Sequence, residues 1–453
     1  MWLTLPPWPI ALAWYGLMSL ATLALAAPPL YGLALAATAA AAMGLLAFLH
    51  PMPFVIAWLV ATGATIEMAM HDLIGPAAFQ ATIAAEKAGG IALAAIRAIR
   101  WGARLDPFNP AWAFLAMAAF VLALGIHPDL DRADHLRSVI GSLAPFAFCF
   151  CRIPRERALV LLSVIRWCPI IALALGAALT LAGLRPLFVE GGGARLAGLG
   201  HPAFLAGVTM VGVYACLIAT YRRDHAPDRW LLGANLLILL ATGARAPVAY
   251  TAAVVVLTLV CVPSAAVPAH RRVFAILAMV CAIPVLLALA GDLSDIRLLH
   301  LLTTDAAHLS GRERLWPLFE AAADGAPWFG WGIGAGNIVV PPGSAVAKLL
   351  KTWAAHNEYL RIRVDGGWIG LGLLVGLFIT WVTIRTARLP VADRWIMRFI
   401  FLAFAAHAVT DNVLISTPAC VLFTFAAAVF ASAAEPAQVA QDRRGGKREA
   451  LEA

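Results

Sequence analysis

The chain has 453 residues, of which 62% are hydrophobic and only 13% are charged, and its formal net charge is +8. Soluble domains carry about 25% charged residues, so this composition, with a mean hydropathy of +0.85, excludes an ordinary soluble protein and predicts a polytopic α-helical membrane protein. The long apolar runs do not alternate, which excludes a β-barrel. The basic residues lie mostly in short loops between these runs, so the charge does not indicate nucleic-acid binding.

Apolar runs divide the chain into candidate membrane spans, judged against the roughly 20 residues that cross the hydrocarbon. Several runs are short, so about 12–13 spans are expected by this length rule. The first run has neither a basic start nor a small-residue cleavage site, so we expect a retained span and not a signal peptide. The candidates are 8–27, 31–50, 53–70, 110–126, 138–152, 157–183, 202–220, 230–244, 246–262, 273–291, 369–386, 398–411 and 417–433.

The basic loops give the orientation. With these spans, five basic clusters fall on one side, which the positive-inside rule identifies as cytoplasmic. Residues 71–109 are expected to be a cytoplasmic, partly amphipathic interfacial stretch. The five clusters are Arg152 to Arg157, Arg222 to Arg229, His270 to Arg272, Arg385 to Arg398, and Arg443 to Arg448 in the basic tail.

The opposite side carries the polar segments that lie outside the cytoplasm. They are the loop 185–201, the turn 241–247 and a long loop, 291–368. A connection of about 75 residues far exceeds the usual loop length and predicts a functional element. Within it, Ser310 to Glu320 predicts a capped amphipathic helix, Pro327 to Asn337 a tight glycine-rich turn, and the segment around His356 a helix that runs into the next span.

Three side chains are expected to converge on this face: Arg195, Arg245 and His356. Arginine presents a fixed fork of donors that matches phosphate oxygens and keeps its charge. Two arginines at one depth suit a pyrophosphate group at the membrane surface. Histidine accepts a proton near neutral pH, so His356 could be the base for a sugar hydroxyl. The seven cysteines form neither a CxxC pair nor a grouping with histidine, so no metal site is predicted.

The polar motifs occur in a recognisable order. His356-Asn357 is followed after nine residues by Gly367 and then by Gly370, and this spacing is similar to the histidine motif of O-antigen ligases. The longer pattern resembles the domain shared by O-antigen ligases and polysaccharide polymerases, over about residues 185–420. Its parts are Gly311-Arg312 with Trp316, Pro327 to Gly334, His356 to Tyr359, the loop arginine Arg195 before His201-Pro202, and Thr242 to Arg245 with alanine in place of the usual serine.

The resemblance implies an all-α, polytopic integral membrane protein of the GT-C-like kind, with about 12–13 transmembrane helices by the length rule above and one large periplasmic loop, 291–368. The expected division of the chain is N-terminal transmembrane helices over 1–184, the ligase-related domain over 185–435 and a cytoplasmic basic tail over 436–453. The expected location is the bacterial inner membrane, with the active site facing the periplasm.

The implied reaction is an inverting glycosyl transfer without metal or cofactor. The donor would be a glycan on undecaprenyl pyrophosphate, and the acceptor either lipid A core or a second lipid-linked repeat. His356 would activate the acceptor hydroxyl, and Arg195, Arg245 and Arg312 would bind the donor pyrophosphate. Supporting roles would fall to Asn357, Glu358, Tyr359 and Asp411.

Alternatives remain open on the sequence. A ligase would transfer a finished glycan to lipid A core, whereas a polymerase would extend another lipid-linked repeat; the motif spacing favours the ligase. A transporter without chemistry would show inverted repeats and polar residues near the midplane, and neither is evident. Each site residue also has a structural interpretation: His356 and Arg245 could lie at the interface without a ligand, Arg312 could pair within its own helix, and Arg361 and Arg363 could be surface charges.

Overall fold

The computed structural model describes residues 44–190, 193–223, 226–289, 314–350 and 352–433. The chain divides into two compact units, Met1–Val55 and Ile56–Ala453. Of the first, only residues 44–55 are described, and all contacts given below lie within the second. The predicted span 8–27, most of the span 31–50, Arg312, and the basic tail 436–453 lie outside the described residues.

The described chain is helical almost throughout, as expected for an all-α membrane protein. One short antiparallel hairpin, β1 (Phe188–Glu190) with β2 (Ala194–Leu196), lies in the segment predicted to be a loop. The first helices are α1 (Pro51–Ala64), α2 (Ile66–Leu73), α3 (Pro76–Trp101), α4 (Ala111–Leu124), α5 (Arg132–Leu143), α6 (Arg155–Leu181), α7 (Pro202–Arg223) and α8 (Ala226–Ala241). They are followed by α9 (Arg245–Cys261), α10 (Ala269–Leu289), α11 (Trp316–Asp324), α12 (Ala345–Leu350), α13 (Glu358–Ala387), α14 (Val391–His407) and α15 (Thr417–Ser432).

Three described helices are long and apolar enough to cross a membrane: α6, α7 and α13. The bent pair α1 and α2 would be a fourth span if it is counted as one. Three further apolar helices, α4, α9 and α15, have only 14 to 17 residues. At 1.5 Å per residue they fall short of the roughly 30 Å hydrocarbon core, which is why fewer helices meet the length criterion than the apolar runs suggested.

Two predicted spans are not single helices. The run 53–70 bends by 61° between α1 and α2, because Thr65 adopts a left-handed conformation with φ 59°. The run 138–152 is the end of α5 followed by a 3-10 turn, Ala144–Phe150, with Pro145 at its start. Proline lacks the N–H that would continue the α-helix. The run 53–70 therefore remains a candidate span as a bent pair of helices, whereas the run 138–152 is not a single helix.

Basic clusters from distant parts of the sequence meet at one end of the helix bundle. The Arg222 guanidinium donates to Asp393 Oδ2 at 2.8 Å and 3.0 Å, which joins the end of α7 to the start of α14. Arg385 Nε donates to Asp106 Oδ2 at 2.6 Å, and the Arg152 backbone N–H donates to the Gly102 carbonyl at 3.0 Å. This convergence agrees with the single basic side inferred from the sequence.

The predicted glycine-rich turn packs against a kink in α13. Gly330, Gly332 and Gly334 all have positive φ angles, between 68° and 103°. At the kink, Gly367 has φ 62° and ψ −165°, and Trp368 N–H donates out of the helix to the Pro327 carbonyl at 2.8 Å. The kink thus lets the backbone of the long loop dock onto the helix that follows His356.

Replacement of Gly367 by alanine is expected to destabilise the protein. A Cβ there would lie 2.3 Å from the Trp328 carbonyl carbon, and the conformation itself costs non-glycine residues about 1–3 kcal/mol. Gly372→Ala on the same helix is the matched control, because a Cβ there meets no atom within 4 Å and alanine favours helix by roughly 0.5–1 kcal/mol. Thermal unfolding in detergent should rank Gly367→Ala below wild type and Gly372→Ala at or above it; equal midpoints would contradict this account.

Candidate functional site

His356 forms a hydrogen-bonded pair with Asp411. Its Nδ1 lies 2.9 Å from Asp411 Oδ1, and its Nε2 lies 3.0 Å from the Thr352 hydroxyl. An ionised carboxylate only accepts hydrogen bonds, so Nδ1 carries the proton and Nε2 is left to accept one from Thr352. This is the tautomer that a general base acting through Nε2 requires.

The backbone presents His356 just before a helix begins. His356 has φ 46°, a left-handed conformation that is uncommon outside glycine. Asn357 is the N-cap of α13, and its side chain accepts from Leu360 N–H at 3.2 Å. Trp316 Nε1 donates to the Ala355 carbonyl at 3.0 Å, so α11 fixes the turn that carries the histidine. The predicted helix therefore starts at Glu358, after His356.

Asp411 lies in the connection between α14 and α15. Burial alone would raise the pKa of Asp411, but the hydrogen bonds and charges around the carboxylate, of which the hydrogen bond from His356 is the largest, outweigh burial and hold that pKa below its usual value. The side chains are 21% exposed for His356 and 39% exposed for Asp411, so a hydroxyl from solvent or the membrane surface can reach the pair. Asp411 is therefore ionised at neutral pH, as the assigned tautomer requires.

Two of the N-terminal helices, α2 and α3, hold the connection that carries Asp411 in place. Lys87 of α3 donates to the Ile415 carbonyl at 2.8 Å. Thr417, the first residue of α15, donates its hydroxyl proton to Glu67 of α2 at 2.6 Å. Both contacts are buried or partly buried. Residues far from the motif thus position the partner of His356, and no local sequence pattern marks them.

The two predicted donor-binding arginines lie at the turn between α8 and α9. Arg195, on β2, donates through Nε to the Thr242 carbonyl at 3.0 Å. Arg245 is the first residue of α9 and its side chain is exposed. Backbone N–H groups and the helix dipole at this N-terminus favour an anion. Burial first, and then the charges of Arg195 and Arg185, lower the pKa of His201, so this histidine is neutral beside the arginines.

The arginine turn and His356 lie at the same end of the bundle. Tyr250, about one and a half turns into α9, donates its hydroxyl proton to the Ala406 carbonyl at 3.1 Å, at the end of α14. Tyr359, at the start of α13, donates to the neighbouring Ala405 carbonyl at 2.9 Å. The ends of these helices therefore bring Arg195, Arg245, His356 and Asp411 to one face, opposite the basic clusters.

Three predicted site residues make contacts that stabilise the fold. Asn357 caps α13 and Tyr359 joins α13 to α14, as described above. Glu358 is only 2% exposed, and its Oε1 accepts from Arg361 Nε at 3.0 Å. Arg361 is therefore not a surface charge, whereas Arg363 pairs with Asp324 and stacks on Trp368, 4.5 Å from the ring centroid. Arg312 lies outside the described residues.

Other predicted or possible ligands can be placed briefly. His407 is buried with its ring 5.3 Å from that of Tyr250, and its carbonyl accepts from Asp411 N–H at 3.0 Å. Thr352, which the sequence did not single out, is the hydroxyl at His356 Nε2. In the part of the chain that the structure describes, no group of three or more His, Cys, Asp or Glu could hold a metal ion.

These features define a helical membrane protein with a histidine–aspartate pair and two arginines at one end of its bundle. Residues 230–375 match the family model described as O-antigen ligase, and this match confirms the resemblance to the O-antigen ligase superfamily that was inferred from the sequence. The match contains Arg245 and His356, whereas Arg195 and Asp411 lie outside it. Comparison with curated proteins gives no match.

Proposed function

We propose that the protein transfers a glycan from undecaprenyl pyrophosphate to a sugar hydroxyl, at the periplasmic face of the bacterial inner membrane. The observation that carries this proposal is the His356–Asp411 pair, with Nε2 facing a hydroxyl, on the same bundle end as Arg195 and Arg245. The family match supports chemistry on lipid-linked glycans in general. The face of the membrane, the donor lipid and the ligase reaction itself are parts of the proposal.

In the proposed reaction, His356 Nε2 takes the proton of the acceptor hydroxyl. The oxygen attacks the anomeric carbon of the donor, the bond from that carbon to the phosphate oxygen breaks, and in-line attack inverts the configuration. The lipid pyrophosphate leaves with the electron pair. Asp411 stabilises the protonated imidazole through Nδ1–H, a charge-assisted hydrogen bond. The Thr352 hydroxyl at 3.0 Å indicates where the acceptor hydroxyl would bind.

Arg195 and Arg245 would act on the leaving group. Negative charge grows on the bridging phosphate oxygen as the glycosidic bond breaks, and fixed donors aimed at that charge lower the barrier. The Thr242 carbonyl positions Arg195, and the N-terminus of α9 adds its own positive potential beside Arg245. Arg312 stays a proposed donor contact from the resemblance alone.

The test uses purified protein in detergent with a lipid-pyrophosphate-linked glycan and two acceptors, lipid A core and a second lipid-linked repeat. Wild type should consume donor, and Arg245→Ala should consume it about 10²-fold more slowly, the usual loss for one such donor. Arg229→Ala is the control, because Arg229 is exposed at the other end of α8. Glycan on lipid A core supports the ligase; an extended lipid-linked repeat assigns a polymerase instead. Transport of donor across vesicles with no product would overturn both.

A further inference from the structure

The end of the bundle opposite His356 carries a dense group of arginines. Segments 97–106, 152–157 and 385–388 contain eight arginines and two carboxylates. Backbone hydrogen bonds join residues 102–104 to residues 150–152, from Arg104 N–H to the Phe150 carbonyl at 2.7 Å and from Arg152 N–H to the Gly102 carbonyl at 3.0 Å. We call the arginine cluster the six residues Arg97, Arg100, Arg104, Arg152, Arg157 and Arg388.

Arg97 is a buried member of this cluster, and part of its guanidinium has no hydrogen-bond partner. Its side chain is 1% exposed, and Nε and Nη2 have no hydrogen-bond partner. The guanidinium stacks over Trp101, with Cζ 3.5 Å from the ring centroid, so one face is packed. The charged groups that act on it include Arg157 and Arg100. A buried cation among cations is costly unless an anion compensates it.

The two carboxylates in these segments do little to balance the positive charge of the arginine cluster. Of the two carboxylates in these segments, Asp106 is 7% exposed and is bound by Arg385. The other, Glu156, is exposed on the surface. The charges around Arg104 are those of Arg385, Asp106, Arg388 and Arg152, three arginines and one paired aspartate. The arginine cluster thus has an excess of positive charge, and two N–H groups of Arg97 within it have no hydrogen-bond partner.

The surface beside the cluster is apolar. Ile99 is 72% exposed and Leu105 is 76% exposed, directly next to Arg100 and Arg104 in the chain. Phe108 is also exposed. A small hydrophilic anion would gain nothing from these side chains, whereas the acyl chains of a lipid would cover them. Arginine binds phosphate oxygens in a bidentate way, and a basic surface at this end of a membrane protein faces the leaflet that holds anionic lipids.

We propose that the arginine cluster binds the phosphodiester headgroup of an anionic membrane lipid. The exposed guanidiniums of Arg100, Arg152 and Arg157 would donate to the phosphate oxygens, and the buried charge of Arg97 behind them would add its positive potential. The acyl chains would lie along Ile99 and Leu105. This site is separate from the glycosyl-transfer site and does not depend on the proposed function.

The test compares three ligands by thermal unfolding of the full chain in detergent: phosphatidylglycerol, phosphatidylcholine and inorganic phosphate. Phosphatidylglycerol should raise the unfolding midpoint, and the other two should not. Arg100→Gln with Arg157→Gln removes two exposed charges and should weaken the apparent lipid affinity by 10-fold or more, since each basic residue contributes roughly 5-fold. Arg152→Lys keeps the charge but loses the fork, and should also weaken binding.

The matched control is Arg132→Gln with Arg137→Gln. Both residues are exposed on α5, beside the glycine-rich turn, where His135 Nδ1 lies 2.8 Å from the Ile333 carbonyl. This pair removes the same charge from the other end of the bundle and should leave lipid affinity unchanged. Equal stabilisation by the two lipids, or full affinity in Arg100→Gln with Arg157→Gln, would overturn the proposal. Equal stabilisation by inorganic phosphate would show that the ligand is a small anion and not a lipid.

Discussion

Replacing His356 by alanine is expected to lower glycosyl transfer by about 10²- to 10⁴-fold, the usual contribution of a positioned general base. The imidazole is held on both sides, by Asp411 at 2.9 Å and Thr352 at 3.0 Å, so its loss removes the proton acceptor and leaves the arginine turn in place. Donor binding should therefore persist. The measurement is the rate of donor consumption at saturating acceptor, with donor binding measured separately.

The chain offers a matched control for this substitution. His270 is exposed at the start of α10, at the end of the bundle opposite the arginine turn where α9 begins. His270→Ala should keep wild-type activity. If His356→Ala is as active as wild type, or if both variants lose activity equally, His356 is not the base.

Asp411 contributes to the reaction by keeping the imidazole proton of His356 on Nδ1. In Asp411→Asn an amide N–H can face Nδ1, which places the imidazole proton on Nε2 and blocks the base; the expected loss is about 10²-fold or more. Because the pKa of Asp411 is held below its usual value, with the hydrogen bond from His356 as the largest contribution to the lowering, the carboxylate is ionised above about pH 5. The defect of Asp411→Asn should therefore be present at every pH from about 5 to 8, and a defect that vanishes at one end of this range would contradict the assigned role.

The sequence predicted those features that depend on local pattern. Apolar runs predicted most helices, the glycine spacing predicted the turn around Gly332, and the polar segment predicted the helix after His356. Asp411 lies at the outer end of the predicted span 398–411, so the sequence allowed two roles for it, a contact at the site or a cap of that span. Each of these follows from periodicity, from turn chemistry or from the alternation of spans.

What the sequence could not give depends on contacts between distant segments. Lys87 meets the Ile415 carbonyl across more than 300 residues, and no local pattern marks either partner. The hairpin that carries Arg195 has strands of three residues, too short for a period to be visible. The bend at Thr65 comes from a backbone conformation that threonine rarely adopts. Tertiary packing decides all three.

One missed feature did have a signal in the sequence. Glu358, Arg361 and Asp365 are spaced by three and four residues, so a helix places them on one face with alternating charge. The structure buries all three at 2% exposure or less. Arg361 Nη1 donates to Asp365 Oδ2 at 2.6 Å, and the other oxygen of Asp365 accepts from Gly336 N–H at 2.8 Å and Gly334 N–H at 3.2 Å. The triad connects α13 to the glycine-rich turn.

Arg361→Ala is therefore expected to destabilise the fold more than it affects chemistry. It leaves two buried carboxylates without their cation, and breaking a buried ion pair in this way costs about 3–5 kcal/mol. The Asp365 contacts to the glycine-rich turn would weaken with it. The measurement is the thermal unfolding midpoint and the yield of monodisperse protein in detergent, both expected to fall well below wild type.

Arg363, two residues further along the same helix, is the matched control. It pairs with Asp324, which is 68% exposed, and exposed pairs contribute roughly 0.2–1 kcal/mol. Arg363→Ala should therefore unfold near the wild-type temperature. The comparison also separates stability from ligand binding at Arg361. A well-folded Arg361→Ala protein with weakened donor binding would make Arg361 a glycan ligand, whereas loss of folded protein in Arg361→Ala alone would identify the triad as the structural support of the loop that presents His356.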